Sequence, residues 1–259
     1  MASKTETKRR AVILAFILAS AFCVAAPAAD ERGADQAPAH LARKVAAQET
    51  AASGARDHYT YRQTAEVDEM DSRGAMGGEY REVRDIIFSP EQARSEQVIG
   101  KPLNTLHRLI LTPEDFRDIR EIQPFLLTTD QLFLYDTKFQ GEEKIGGIDY
   151  WVLHIAPRQI LSGQRLFEGL LWIDKTDYSI VRSEGRAVPQ IRTMKSENLF
   201  PVFTTIREKV DGQHWFPVET YADDTLPFRN GPQRIRLIIR YDNYKRFGAD
   251  STITFKPKP

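Results

Sequence analysis

Asp223 and Asp224, two residues after Tyr221, come closest in type and spacing to a chemical site. With Asp174 or Asp177 they could hold a cation, although paired acids ahead of a Leu-Pro step are also the ordinary composition of a solvated loop, which is the favoured reading. His40, His58, His107, His154 and His214 stand singly, with no His-Glu-x-x-His spacing for a metal. His154, between Leu153 and Ile155, is expected on the polar side of a strand. No Gly-x-Ser-x-Gly elbow, Ser-x-x-Lys pair or glycine-rich phosphate loop occurs. Arg182, Arg186, Arg192 and Lys195, with Arg207 and Lys209, could meet phosphate head groups, but Glu184, Glu197 and Glu208 interleave and favour neutral surface pairing. The expectation is therefore no enzyme, no cofactor and no metal. A hydrolase would need a nucleophile and base gathered from distant strands.

The chain has 259 residues and no formal net charge. Lys8, Arg9 and Arg10, the apolar run Ala11 to Ala26, and Ala26-Pro27-Ala28 have the layout of an export signal, with cleavage expected after Ala28, or else after Ala21. An uncleaved anchor is the competing reading, but the run is shorter than the ~20 residues a bilayer core demands. Cys23, the single cysteine, lies inside this run behind Phe22, which argues against lipid modification there. A mature chain would have no cysteine, a net charge of −3 and no long-range field for a nucleic-acid backbone. The expected organisation is a signal over 1–28, a flexible lead over 29–38 and one exported domain over 39–259.

A helix is predicted over His40 to Ala55, and a second starts at Thr112-Pro113-Glu114-Asp115, with Phe116, Ile119 and Ile122 on one face and a stop before Pro124. A short turn is expected at Thr129-Asp130. Nearly everything else alternates with period two. Tyr59, Tyr61, Ala65 and Val67 face one way; so do Ile235, Leu237, Ile239 and Tyr241, opposite Arg236 and Arg240. Similar reading gives strands near 80–89, 93–99, 133–140, 148–156, 165–174, 178–188, 203–210 and 214–222, with turns at Gly74 to Gly78, Gly141 to Gly147, Asp174 to Asp177, Asp211-Gly212 and Asn230-Gly231. An antiparallel meander with one polar face must bury the other. The expected fold is mainly β with a few helices: a curved, incompletely closed antiparallel half-barrel of about ten or eleven strands, capped by helices.

"FQGEEKIGGIDYWVLHIAP" and "LFEGLLWIDKTDYSIVRSEG" carry a Gly-x-Glu-x-Ile-x-Gly turn, then Gly-x-x-Trp-Ile-Asp and Asp-x-x-Ile-Val. These hairpins resemble the periplasmic lipoprotein-carrier superfamily of LolA-, LolB- and RseB-like proteins. "NLFPVFTTIREKVDGQHWFPVETYADD" and "IIRYDNYKRFG" resemble its outer-membrane lipoprotein-sorting-like branch. The resemblance implies an open half-barrel with helices across its mouth, acyl chains of lipids or lipoproteins held between, and no catalysis.

A sixteen-carbon chain gains on the order of 12 kcal/mol on burial, about what a bilayer offers, so a carrier needs a lid that opens rather than affinity alone. The candidate lipid-binding residues are Trp151, Leu153 and Ile155 on one strand, Phe167, Leu171 and Ile173 on another, and Ile235, Leu237 and Ile239 on a third. The same residues would serve equally as an ordinary filled core, and alternation does not separate the two. Trp172 falls on the opposite face from Phe167 and Leu171 and is expected to brace the sheet. The connection from Val188 to Pro201 is long enough to place a lid or partner contact over a sheet end. The alternative function is an interaction module docking on a membrane-protein partner.

Overall fold

A computed structural model describes residues 38–88, 94–122, 124–193 and 197–247; the export signal and nearly all of the lead fall outside them. Helix α1 (Leu41–Arg56) leads into β1 (Tyr59–Met70), β2 (Met76–Phe88), β3 (Arg94–Val98) and β4 (Leu103–Asn104). Helix α2 (Pro113–Glu121) follows, then a 3-10 turn (Leu132–Leu134) and β5 (Tyr135–Ile145), β6 (Ile148–Pro157), β7 (Leu166–Asp174) and β8 (Ile180–Val188). The chain closes through β9 (Ile191–Arg192), β10 (Glu197–Asn198), β11 (Phe203–Val210), β12 (His214–Phe228) and β13 (Gly231–Arg246). Eleven strands form one antiparallel sheet in the order β3-β2-β1-β13-β12-β11-β8-β7-β6-β5, with β4 also on β2; β9 and β10 make a separate small hairpin. The sheet does not close on itself, and both helices lie against its apolar face, the half-barrel expected from the alternation.

That face is set residue by residue. Along β13, Ile235, Leu237, Ile239 and Tyr241 are buried while Arg236 and Arg240 reach the other side to pair with Asp68 and Glu66 of β1. From α1, Leu41 and Val45 join the main core, and from α2 so does Ile119, together with Leu153, Ile155, Phe167, Leu171 and Ile173 of the sheet. The convex face carries a small cluster of its own: Trp172 packs with Val152 and Val181, donates Nε1–H to Glu143 at 2.9 Å and lies under the Arg182 guanidinium. Trp172 thus braces the sheet from outside, as its parity implied.

The paired glycines of the β7–β8 ladder have a packing reason. Gly169 and Gly185 face each other across the ladder, and a Cβ on either would lie within 3 Å of the Phe167 ring. The ring lies over bare backbone, stacked on Phe125 with centroids 4.8 Å apart.

Three boundaries differ most from the sequence reading. β2 starts at Met76, so Gly77 and Gly78 of the expected turn stand in a strand. β12 continues past Ala222 to Phe228, so Asp223 and Asp224 stand in a strand, and Asp223 holds Arg234 at 2.7 Å. The Leu-Pro step suggests a loop, but Pro227 faces Pro232 across the ladder. Two facing residues without N–H can form only a non-hydrogen-bonded pair, so neither removes a bond from this ladder. Likewise β5 continues to Ile145: Gly141 (φ 113°) sits in a bulge, and the turn itself is Gly146-Gly147, at φ 59° and 87°. Among the described residues, no helix is long and apolar enough to cross a membrane.

Helix α1 is fixed by a buried ion pair. Arg207 of β11 donates from Nη1 to both Glu49 carboxylate oxygens, at 3.0 and 2.8 Å, and both side chains are 1% exposed. Glu49 also accepts the Ile180 backbone N–H at 3.2 Å, and Arg207 donates to the Phe125 carbonyl. Truncating one member strands the other's charge, so Glu49→Ala should cost about 3–5 kcal/mol, while Glu49→Leu combined with Arg207→Met should recover much of it. Denaturant midpoints at constant slope measure both.

Candidate ligand-binding site

The helices do not fill the whole concavity. A cavity of about 430 Å³ lies between α2, the segment 108–112, the β9–β10 hairpin and the ends of β12 and β13. Its apolar wall is Leu109, Leu199, Leu226, Phe228 and Ile235, a cluster apart from the main core; Val67, Ile119 and Leu237 belong to that core and form the floor. Ile110, 86% exposed, stands at the rim with Arg108 and Arg229. A second hollow, about 400 Å³, is bordered by Glu114, Arg117 and Arg165 and by loop residues.

Short polar devices hold this roof in place. Glu69, buried on β1, accepts the backbone N–H groups of His107, Arg108 and Leu109 on one oxygen, at 3.2, 2.8 and 2.9 Å, pinning a segment that has no ladder of its own. Just before it the chain crosses Gly78 so closely that a Cβ there would lie 2.4 Å from the Thr105 carbonyl oxygen. Thr112 then caps α2 in a reciprocal box: it accepts the Asp115 N–H at 3.3 Å, and Asp115 accepts the Thr112 N–H at 2.6 Å. The other Asp115 oxygen accepts from Asn198 Nδ2 at 2.8 Å, joining helix and hairpin. Glu197 accepts the Arg229 N–H at 3.1 Å, tying the hairpin to the β12–β13 turn.

Several polar atoms around the cavity are left over. Asn198 and Gln233 are 2% and 3% exposed, and both line the cavity. Asn198 spends its amide nitrogen on Asp115 and Thr112, and Gln233 spends its own on the carbonyls of Met70 and Arg234. Since a carboxylate and two carbonyls can only accept, the nitrogen and oxygen of each amide are fixed by their partners. Asn198 Oδ1, Gln233 Oε1 and Glu197 Oε1 are buried and have no hydrogen-bond partner among the described residues.

The expected wall residues divide between two places. Ile235 and Leu237 border the cavity. Leu153, Ile155, Phe167, Leu171, Ile173 and Ile239 are buried in the main core against side chains of the protein itself. Trp151 packs half-buried at the margin of that core, with Nε1–H donated to Glu142 at 3.1 Å and its ring 5.4 Å from Tyr178. Many of the other cavity residues come from the 108–112 and 197–201 segments, which have no period to read; the rest lie on β1, α2 and the β12–β13 end. The 197–201 stretch lies inside the long connection expected to carry function, and Gln233 carried a signal: it is a polar residue at the head of the inward series Ile235, Leu237, Ile239.

No family model and no curated protein matches the chain. Among solved structures, it is similar to a DUF1329 family protein from Desulfovibrio piger, at 16% identity over 83% of this chain and 92% of that one, with a TM-score of 0.38. It is similar to a LolA superfamily protein from Nitrosomonas europaea, at 12% identity over 81% and 98%, TM-score 0.33. The complex structure of Pseudomonas aeruginosa MucA/MucB is a further match, at 12% identity over 81% and 99%, TM-score 0.24.

Behind the cavity, Asp118 of α2 is fully buried and bound by Arg165, from Nε at 3.3 Å and from Nη2. Burial pushes its carboxyl up to about 6, against the pull of the Arg165 guanidinium. Burial also raises Asp115, against its bonds from Thr112. A carboxyl that holds its proton more tightly when folded adds stability that is full below its unfolded value near 3.8 and is lost as pH rises through 6. Unfolding free energy should therefore fall with rising pH across this window, by up to about 1.4 kcal/mol per unit from this one group. Asp118→Asn should remove that slope, as measured by denaturation at a series of pH values.

Proposed function

We propose that this is a non-enzymatic periplasmic binding protein that takes the hydrocarbon tail of a lipid or acylated protein into the cavity under α2, serving outer-membrane lipoprotein sorting or envelope biogenesis. One observation carries the reading: Leu199, Leu226 and Ile235 wall an apolar hollow of about 430 Å³ that the protein's own side chains do not fill. That volume is within the ~300–1,000 Å³ of small-ligand sites, and each methylene buried there gains about 0.8 kcal/mol. The export signal expected over 1–28 supports the compartment.

A second reading, docking on a membrane-protein partner, is supported by exposed Val98, Ile99 and Leu103 along the outer edge formed by β3 and β4. Photocrosslinkers at Val98 or Leu103 that capture a membrane protein in intact cells would support it.

For tail binding, a fluorescent fatty-acid probe should show saturable uptake, and native mass spectrometry of protein taken from the periplasm should show bound lipid. Ile235→Trp, which fills the hollow, should weaken uptake tenfold or more. Leu171→Ala, in the filled core, should cost about 2–5 kcal/mol of stability and leave uptake nearly unchanged. No saturable uptake together with no co-purifying lipid rejects the reading.

A further inference from the structure

Among the described residues, three buried oxygens of the cavity region have no donor. An acceptor left unpaired away from water costs about as much as a lost hydrogen bond, so native interiors carry only a few, and three around one hollow call for an explanation. Asn198 Oδ1 and Gln233 Oε1 are neutral amide oxygens, Glu197 Oε1 belongs to a carboxylate, and all three residues line the same hollow. Three nearby donors are engaged elsewhere: Asn198 Nδ2 on Asp115, Gln233 Nε2 on Met70 and Arg234, and the Arg229 backbone N–H on the other Glu197 oxygen. An acyl tail satisfies none of them, because it brings no N–H or O–H.

Resting on the tail-binding reading above, we infer that the cavity selects amphiphiles whose head group donates hydrogen bonds, through hydroxyl, amide or primary ammonium, and discriminates against heads that only accept. The apolar wall of Leu199, Leu226 and Ile235 takes the first stretch of chain, and Asn198 and Gln233 receive the donors at its polar margin. Carboxylate and ester heads bring no donor and are held by the tail alone, so a fatty acid still binds, but weakly enough for a donor-bearing amphiphile to displace it. A site whose buried acceptors stay unpaired with the wrong ligand rejects that ligand far more strongly than one missing a methylene.

Matched probes test this on the unaltered protein by displacement of the fluorescent fatty acid. Decanol and decyl methyl ether differ in one donor; decylamine and decyltrimethylammonium differ in donors at equal charge. The expected result is at least tenfold tighter binding of the donor-bearing member of each pair, the size of one recovered buried hydrogen bond. In Gln233→Met and Asn198→Leu that ratio should shrink toward one while the ether keeps its affinity. Equal affinities within both pairs overturn the donor rule and leave tail binding standing. Parity of decylamine with its trimethylammonium counterpart, both above decanol, overturns it in favour of plain charge attraction by Glu197 and Asp115. Failure of every probe, with the fatty acid itself not taken up, overturns tail binding and the donor rule with it.

Discussion

The Glu49–Arg207 pair decides where the longer helix lies, and the rest of the interior follows from that placement. An isolated charge so deep would not be tolerated, so each member requires the other at bonding distance. Side chains of similar volume without charge would fill the same space about as well, and they would let α1 slide. The ion pair instead ties α1 to β11 directly, to β8 through the Ile180 N–H and to the segment before β5 through the Phe125 carbonyl. The fit is not complete, since Arg207 Nε has no partner among the described residues. That residual cost suits a device whose contribution is position more than stability.

With α1 fixed over one part of the sheet, the remainder has to be roofed by less. α1 has 16 residues and α2 only 9, or roughly 24 and 14 Å of helix at 1.5 Å per residue. β13 alone runs 16 residues, about 50 Å of strand at 3.3 Å each. The shortfall over the β12–β13 end is made up by irregular chain, the 107–111 segment and the two-residue strands β9 and β10. Irregular chain brings polar groups with it, because backbone outside a ladder needs side-chain partners. Glu69, Asp115 and Asn198 are such partners, and the half-served Asn198 and Glu197 are what remains after the roof has been secured. The hollow and its unpaired oxygens thus share one origin in a helix too short for its strands.

The same division explains what could be read from the sequence. Wherever chain lies in a long ladder, one side of each strand is apolar, and the inward faces of β1, β6, β7 and β13 are legible down to the residue, as are the Thr112 cap and the bracing side of Trp172. Legibility fails where a local signal is overruled by its partner strand: Pro227 reads as a break until Pro232 is found opposite it, and Gly141 reads as a turn although Gly146-Gly147 supplies one. The site is less legible than the fold for a physical reason. An apolar residue facing inward alternates identically whether a neighbour fills the space beyond it, as at Phe167 under Phe125, or nothing does, as at Ile235. Which case holds depends on the length of the roof, a property of distant segments without periodicity.

The attachments of the two roofs also differ in what a ligand must disturb on entry. Lifting α1 would uncover both members of a pair 1% exposed and break its bonds to two further segments. α2 is held from behind by Arg165, which bonds Asp118 and the Pro189 carbonyl together and so ties the helix to the end of the β7–β8 hairpin. The β9–β10 hairpin has two residues per strand, and its attachments include Asn198 to Asp115 and Thr112, the Arg229 N–H to Glu197, and Arg192 Nη2 to the Pro227 carbonyl. Bonds of this kind are worth about 0.5–1.5 kcal/mol each, somewhat more where a charge takes part, well below the cost of opening a buried ion pair. Residues 197 and 198 of that hairpin carry two of the three unpaired oxygens, so the part of the roof joined by such bonds is also the part with acceptors left to offer.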